Sequence, residues 1–261
     1  MRISFSPEQV HEKTAAIHAS LLRESPHVTK GNFTAITGTD LRRLFGLYDR
    51  EFFDGGLTRL LAERHQAGLS FRLSQRMTRV GGTTASFPRR GRDGRIQLGV
   101  FDYEITISTT LLFQSFHDLH RTVTVNGLVC RDRLEALQRI FEHELVHLLE
   151  MLVWGTSSCS APPFKAIVGR TFAHPEVRHD LVTQHERAKA GYGIHVGDRV
   201  EFEFEGQLLE GIVNRITRRA TILVPNPGGA RYSDGGRYLK FYIPLGMLRK
   251  RDQGSGIGGQ G

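Results

Sequence analysis

The sequence predicts an α+β chain in two parts: helices packed on a small antiparallel sheet, then a small all-β unit closed as a barrel. Three observations lead there. Apolar residues recur at helical spacing in the stretches near 7–24, 40–53 and 132–153. Between Leu69 and Val100 the period changes to alternation, the mark of half-buried strands. After Gly193, several short alternating segments follow one another closely, separated by glycine turns. With 261 residues, 39% apolar and 24% charged, the chain is large enough for a sizeable core and two domains.

The elements follow in order. Ser6-Pro7-Glu8-Gln9 opens a helix with Ser6 as N-cap and Gln9 three residues on; Val10, Ile17 and Leu21 mark its inner face, and Ser25-Pro26 ends it. A second helix starts at Thr39 or Asp40, carries Leu41, Leu44, Phe45, Tyr48 and Phe52 on one side, and stops at Asp54-Gly55-Gly56. Leu69–Leu73, Arg79–Phe87 and Arg95–Val100 read as strands, with an arginine- and glycine-rich turn from Pro88 to Gly94. The apolar run Ile105–Phe116 reads as a helix, and Val123–Gly127 as a short extended piece with a turn. Trp154–Pro163 reads as a loop, Phe164–Val168 as helix, then a polar helix out to Lys189 and a linker at Gly191 and Gly193. Domains are expected at 1–38 (a helical extension), 39–190 and 194–251, with a glycine-rich tail, 252–261, lacking fixed structure. There is no internal repeat.

Composition narrows the function classes. No stretch approaches the roughly 20 apolar residues of a membrane span, and Met1-Arg2-Ile3-Ser4-Phe5-Ser6-Pro7 has no apolar signal core, so a cytoplasmic protein without a membrane partner is expected. Two cysteines, Cys130 and Cys159, cannot form a disulfide framework or a four-cysteine zinc ribbon. The net charge of +8 and pI near 9.9 favour anionic partners, nucleic acid first. That charge is scattered, with clusters only at Arg89-Arg90-Gly91-Arg92, Arg218-Arg219 and Arg249-Lys250-Arg251.

The stretch from Phe141 to Glu150 carries the chemistry. It reads His143-Glu144-Leu145-Val146-His147, inside a helix expected from about Asp132 to Val153 with Leu134, Leu137, Ile140, Phe141, Leu145, Leu148 and Leu152 as its apolar stripe. Two histidines four residues apart leave one helix face one turn apart and can grip one Zn2+. Glu144 then lies beside the metal as general base on a zinc-bound water, which points to a zinc metallopeptidase.

The order of helix, short sheet and metal helix resembles the SprT-like family, which includes the Spartan proteases. The segments that carry the likeness are Leu44–Leu57, Leu73–Gly82, His143-Glu144-x-x-His147 and Phe164-Lys165, within residues 39–180. The resemblance implies a zincin-like, zinc-dependent endopeptidase domain acting on a protein or peptide substrate, with DNA-associated proteins as candidates. The family's third ligand is the histidine of a His-Gly-x-x-Phe segment. Here Ser160-Ala161-Pro162-Pro163-Phe164 fills that frame, with Cys159 just before it. Zinc accepts thiolate sulfur readily, so Cys159 is the expected third ligand; a thiolate would leave the bound water less acidic. His174, His179 and Glu150 are the alternatives, although Glu150 stands roughly 10 Å from His143 along a straight helix. Cys130 is expected to be a small buried residue.

The last unit resembles SH3-like or Tudor/KOW-like barrels by pattern. Arg215, Arg218, Arg219, Arg231, Arg237 and Lys240 would give it a basic face, with Tyr232, Tyr238 and Tyr242 as stacking surfaces for DNA. A solvated face with core tyrosines is the other reading. The competing function is a catalytically inactive, metal-stabilised protein that binds nucleic acid or protein through this barrel.

Overall fold

A computed structural model describes residues 4–64, 66–116, 121–217 and 219–251. The expected tail, 252–261, and Arg218 of the expected basic face lie outside these residues. The chain divides into two compact units, Met1–Val182 and Thr183–Gly261. No helix among the described residues is long and apolar enough to cross a membrane.

In the first unit, α1 (Pro7–Glu24) starts with a capping box between Ser6 and Gln9, and its Val10, Ile17 and Leu21 enter the same core as the rest of the unit. Helix α2 (Gly38–Phe53) ends on Asp54 in the left-handed conformation. A short helix α3 (Gly56–Arg59) and a wider turn, Leu60–Arg64, follow. The sheet contains β1 (Leu69–Ser74), β2 (Gly82–Arg90) and β3 (Ile96–Ser108) in the order β1-β3-β2.

Strands β1 and β3 run parallel and β2 and β3 antiparallel, so the sheet is mixed, correcting the small antiparallel sheet expected from the sequence. The cause is the connection. A chain that reaches β3 through the β2 hairpin returns in the direction of β1, and β3 takes the central position. Ile105 and Ile107 belong to β3, not to a helix, and both are fully buried. A β-branched run, Ile105-Thr106-Ile107, suits a central strand buried on both faces. Only Thr109–Gln114 turns helical (α4), capped by Ser108. Pro88 falls inside β2, tolerated because β2 is an edge strand and the register breaks between Pro88 and Arg90.

A hairpin of β4 (Val123–Val125) and β5 (Leu128–Cys130) turns on Asn126-Gly127, both with positive φ, as a two-residue turn requires. Helix α5 (Arg133–Trp154) follows, capped by Asp132 and ended by Gly155 in the left-handed conformation. It is the central helix of the unit, packed against β2, α1, α4 and α6 (Pro162–Phe172). It also buries polar groups that find partners across the unit. The Arg133 guanidinium donates to the carbonyls of Leu112, Phe33 and Ser115, and Gln138 Nε2 donates to Thr14 O at 2.9 Å.

The second unit holds α7 (Gln184–Tyr192) and a five-stranded antiparallel sheet: β6 (Arg199–Phe204), β7 (Gln207–Ile216), β8 (Ala220–Arg231), β9 (Arg237–Ile243) and β10 (Arg249–Lys250). The order is β10-β6-β7-β8-β9, and the two outer strands do not pair. The expected closed SH3-like barrel is therefore corrected to an open sheet. Strand β10 is only two residues long and is hydrogen-bonded to β6 alone, which leaves it no ladder to offer β9. Val200, Phe202, Val213, Ile222 and Ile243 form this unit's core. Arg215, Arg219, Arg231, Arg237, Lys240 and Tyr242 are exposed. Tyr232 and Tyr238 are half-buried, and the Tyr238 hydroxyl donates to Asp234.

Candidate metal centre

His143 and His147 leave α5 one turn apart with their Nε2 atoms 3.1 Å from each other. The Phe164 ring of α6 packs on both imidazoles, 4.8 and 4.4 Å between ring centres, and fixes their planes. Gly155 ends α5, the chain turns back through Ser157, and Cys159 comes round to the same two rings. One ligand atom from each of His143, His147 and Cys159 lies within 4.8 Å of the other two. Among the described residues this is the one group of three or more potential ligands that converges in this way.

The 3.1 Å between the two Nε2 atoms is close to what one ion spans: bonds of about 2.0–2.3 Å in a tetrahedron put neighbouring donors roughly 3.3–3.6 Å apart. Burial first, and then the charge of neighbouring imidazoles, pushes His143 down to about 3. Burial alone takes His147 down to about 4. Both rings are therefore neutral near pH 7, the form that donates a lone pair to a metal. The cluster could hold one metal ion.

Glu144 points to the same cavity, which encloses about 310 Å³ and is lined by Gly81, Gly82, Thr84, Ile140, Met151 and His179 beside the cluster. Its Oε2 accepts a hydrogen bond from Thr84 Oγ1 at 2.8 Å. Burial raises the carboxyl to about 8, against the pull of that bond; a cation nearby would favour the charged form. Strand β2 comes this close to α5 because residue 82 is glycine. A Cβ there would stand 2.7 Å from Glu144 Oε1.

The other ligand candidates have different positions. His174 is buried behind α5, where its Nε2 lies 2.7 Å from Glu142 Oε2. The same carboxylate accepts from the Tyr48 hydroxyl at 2.7 Å and from Arg139 at 2.9 Å, a buried network on the far side of the helix. His179 is on the cavity wall but outside the cluster; its Nδ1 faces the Leu181 N–H at 3.4 Å. Glu150 is buried and accepts from the Ser157 hydroxyl. Cys130 is buried in the first unit's core, where burial pushes its thiol up to about 12. Sequence reasoning gave no part in the site to Thr84 or Ser157. Each meets α5 only through the fold, and the one local hint was the pair Gly81-Gly82.

No family model, no curated protein and no solved structure matches this chain. The resemblance to the SprT-like family, and the zincin-like arrangement read from the His-Glu-x-x-His spacing, are corrected by the geometry of the cluster. The converging set is His-His-Cys, where that family uses three histidines, and it stands over a mixed sheet.

Proposed function

We propose that the chain is a zinc-dependent hydrolase that cuts polypeptides, with His143, His147 and Cys159 holding the zinc ion and Glu144 as general base. The observation that carries this reading is the entry of Glu144 into the cavity where two neutral imidazoles and a thiol converge. Two nitrogens and a sulfur make a donor set suited to zinc, and three protein ligands leave a fourth position for substrate. Zinc, when bound, supplies Lewis acidity towards a carbonyl oxygen.

The chain's own residues do the rest. Thr84 orients the Glu144 carboxylate. Glu144 takes a proton from the attacking water and hands it to the leaving amine. Strand β2 pairs only with β3 among the described residues, and its Gly82, Thr83 and Thr84 line the cavity. An extended peptide added to that edge would present its backbone to the cluster. This gives β2 the role of aligning the substrate. In the second unit, the exposed Arg215, Arg219, Arg231, Arg237, Lys240 and Tyr242 favour nucleic acid as a further partner.

Metal analysis and cleavage of an unfolded protein substrate test the proposal together. The wild type should carry zinc and cleave. Glu144→Gln should keep its zinc and lose about 100-fold or more in rate, and Cys159→Ala should fold but lose zinc. Equal cleavage by Glu144→Gln and wild type would remove Glu144 as the base. Full zinc occupancy in Cys159→Ala would remove the sulfur from the site. Zinc closed off by four protein ligands would favour a metal-stabilised binding protein instead.

A further inference from the structure

We infer that Ser157 and Glu150 form a relay that presets His147, and not His143, as a metal ligand before any ion arrives. The inference rests on reading the cluster as a zinc site, but its first consequence concerns the metal-free protein.

The Ser157 hydroxyl lies 2.7 Å from His147 Nδ1 and donates to Glu150 Oε2. Glu150 is 3% exposed, one turn beyond His147 on the same helix. A carboxylate can only accept, so the single Ser157 proton is committed to Glu150. The serine oxygen then has only lone pairs to offer His147, and Nδ1 must carry a hydrogen to meet it. His147 is thereby fixed as the Nδ1–H tautomer, with the Nε2 lone pair aimed at the cluster. Buried partners of this kind orient metal-binding histidines.

His143 has no such partner. Its Nδ1 is buried without a hydrogen bond. Nothing sets its tautomer in this way. The two histidines are alike in sequence and unlike in surroundings: one is held ready by a buried relay, the other is not. Ser157 and Glu150 are positioning residues that act through His147.

Nitrogen-15 NMR of the imidazole rings reads this directly. Metal-free wild type should show Nδ1–H at His147, and zinc should leave that tautomer as it was. Ser157→Ala should release the His147 tautomer and weaken zinc binding about 10–100-fold in a chelator competition. Ser157→Thr, which keeps the hydroxyl, should restore both. Glu150→Gln gives an independent arm, with the same loss of zinc affinity and a mixed His147 tautomer. Nε2–H at His147 in the wild type overturns the relay, as does a Ser157→Ala protein with unchanged tautomer and zinc affinity within twofold of wild type. A wild type that takes up no zinc would overturn the proposed function, while the metal-free His147 tautomer would still decide the relay.

Discussion

Gly82 has no side chain, and the Glu144 carboxylate fills the space one would need. A methyl group there would come within 2.8 Å of Glu144 Cγ and 2.9 Å of Ile140 Cγ2. Glu144 is the easier of the two to move. Gly82→Ala should therefore turn the carboxylate away from Thr84 and the cavity while leaving the side chains of His143, His147 and Cys159 untouched. A displacement of that order lowers turnover by about 100-fold, with zinc content equal to wild type, measured by steady-state cleavage and metal analysis on one preparation. Wild-type turnover in this variant would mean that the approach of β2 does not position Glu144. At this scale the sequence was only partly legible. His143, Glu144 and His147 are marked by spacing alone, because a helix makes residues four apart neighbours. Thr84, 60 residues from Glu144, has no such mark, because that contact is made by folding.

Among the elements, α2 depends on Asp40 at its first turn. Its carboxylate accepts from the Thr37 N–H at 2.8 Å and from the Ser25 hydroxyl at 2.7 Å, which ties the end of α1 to the start of α2. Burial alone would raise the Asp40 carboxyl. Hydrogen bonds from Ser25 and Thr37 and the nearby His27 outweigh it, and the group is held below the usual carboxylate range. A folded-state value below that of the unfolded chain makes the carboxylate stabilising at any pH above about 4, a contribution lost as pH falls through the folded-state value. Asp40→Ala should cost about 1–3 kcal/mol at pH 7, because buried donors lose their acceptor. The difference from wild type should shrink below about pH 4, as measured by urea unfolding across pH. A pH-independent difference would show that Asp40 acts by packing alone. The helices were legible in the sequence since caps and apolar stripes are local: Ser6 with Gln9 opens α1, and Gly155 closes α5. The last part of β3 was not. A short apolar run fits helix or strand equally well until its neighbours are known, and Ile105 became strand by lying between β1 and β2.

For the whole molecule, the two cores share no residue: one runs from Val10 to Leu181, the other from Ala188 to Leu248. His143, Glu144, His147 and Cys159 of the candidate metal centre all lie in the first unit. A chain ending at Val182 should therefore unfold in one cooperative transition and bind zinc as the full-length protein does. Circular dichroism melts and a chelator competition check this; a truncated chain that stays folded but cannot hold zinc would place part of the site in the second unit. The sequence by itself determined α5, its buried stripe and the two imidazoles one turn apart, since these follow from a period of 3.6 residues along one helix. Only the tertiary structure decided that Cys159 meets those imidazoles while His174 turns to Glu142. It likewise decided that the first sheet is mixed and that the second stays open. Strand direction, sheet closure and the meeting of distant loops are set by how elements pack, and packing is not written in any one stretch of chain.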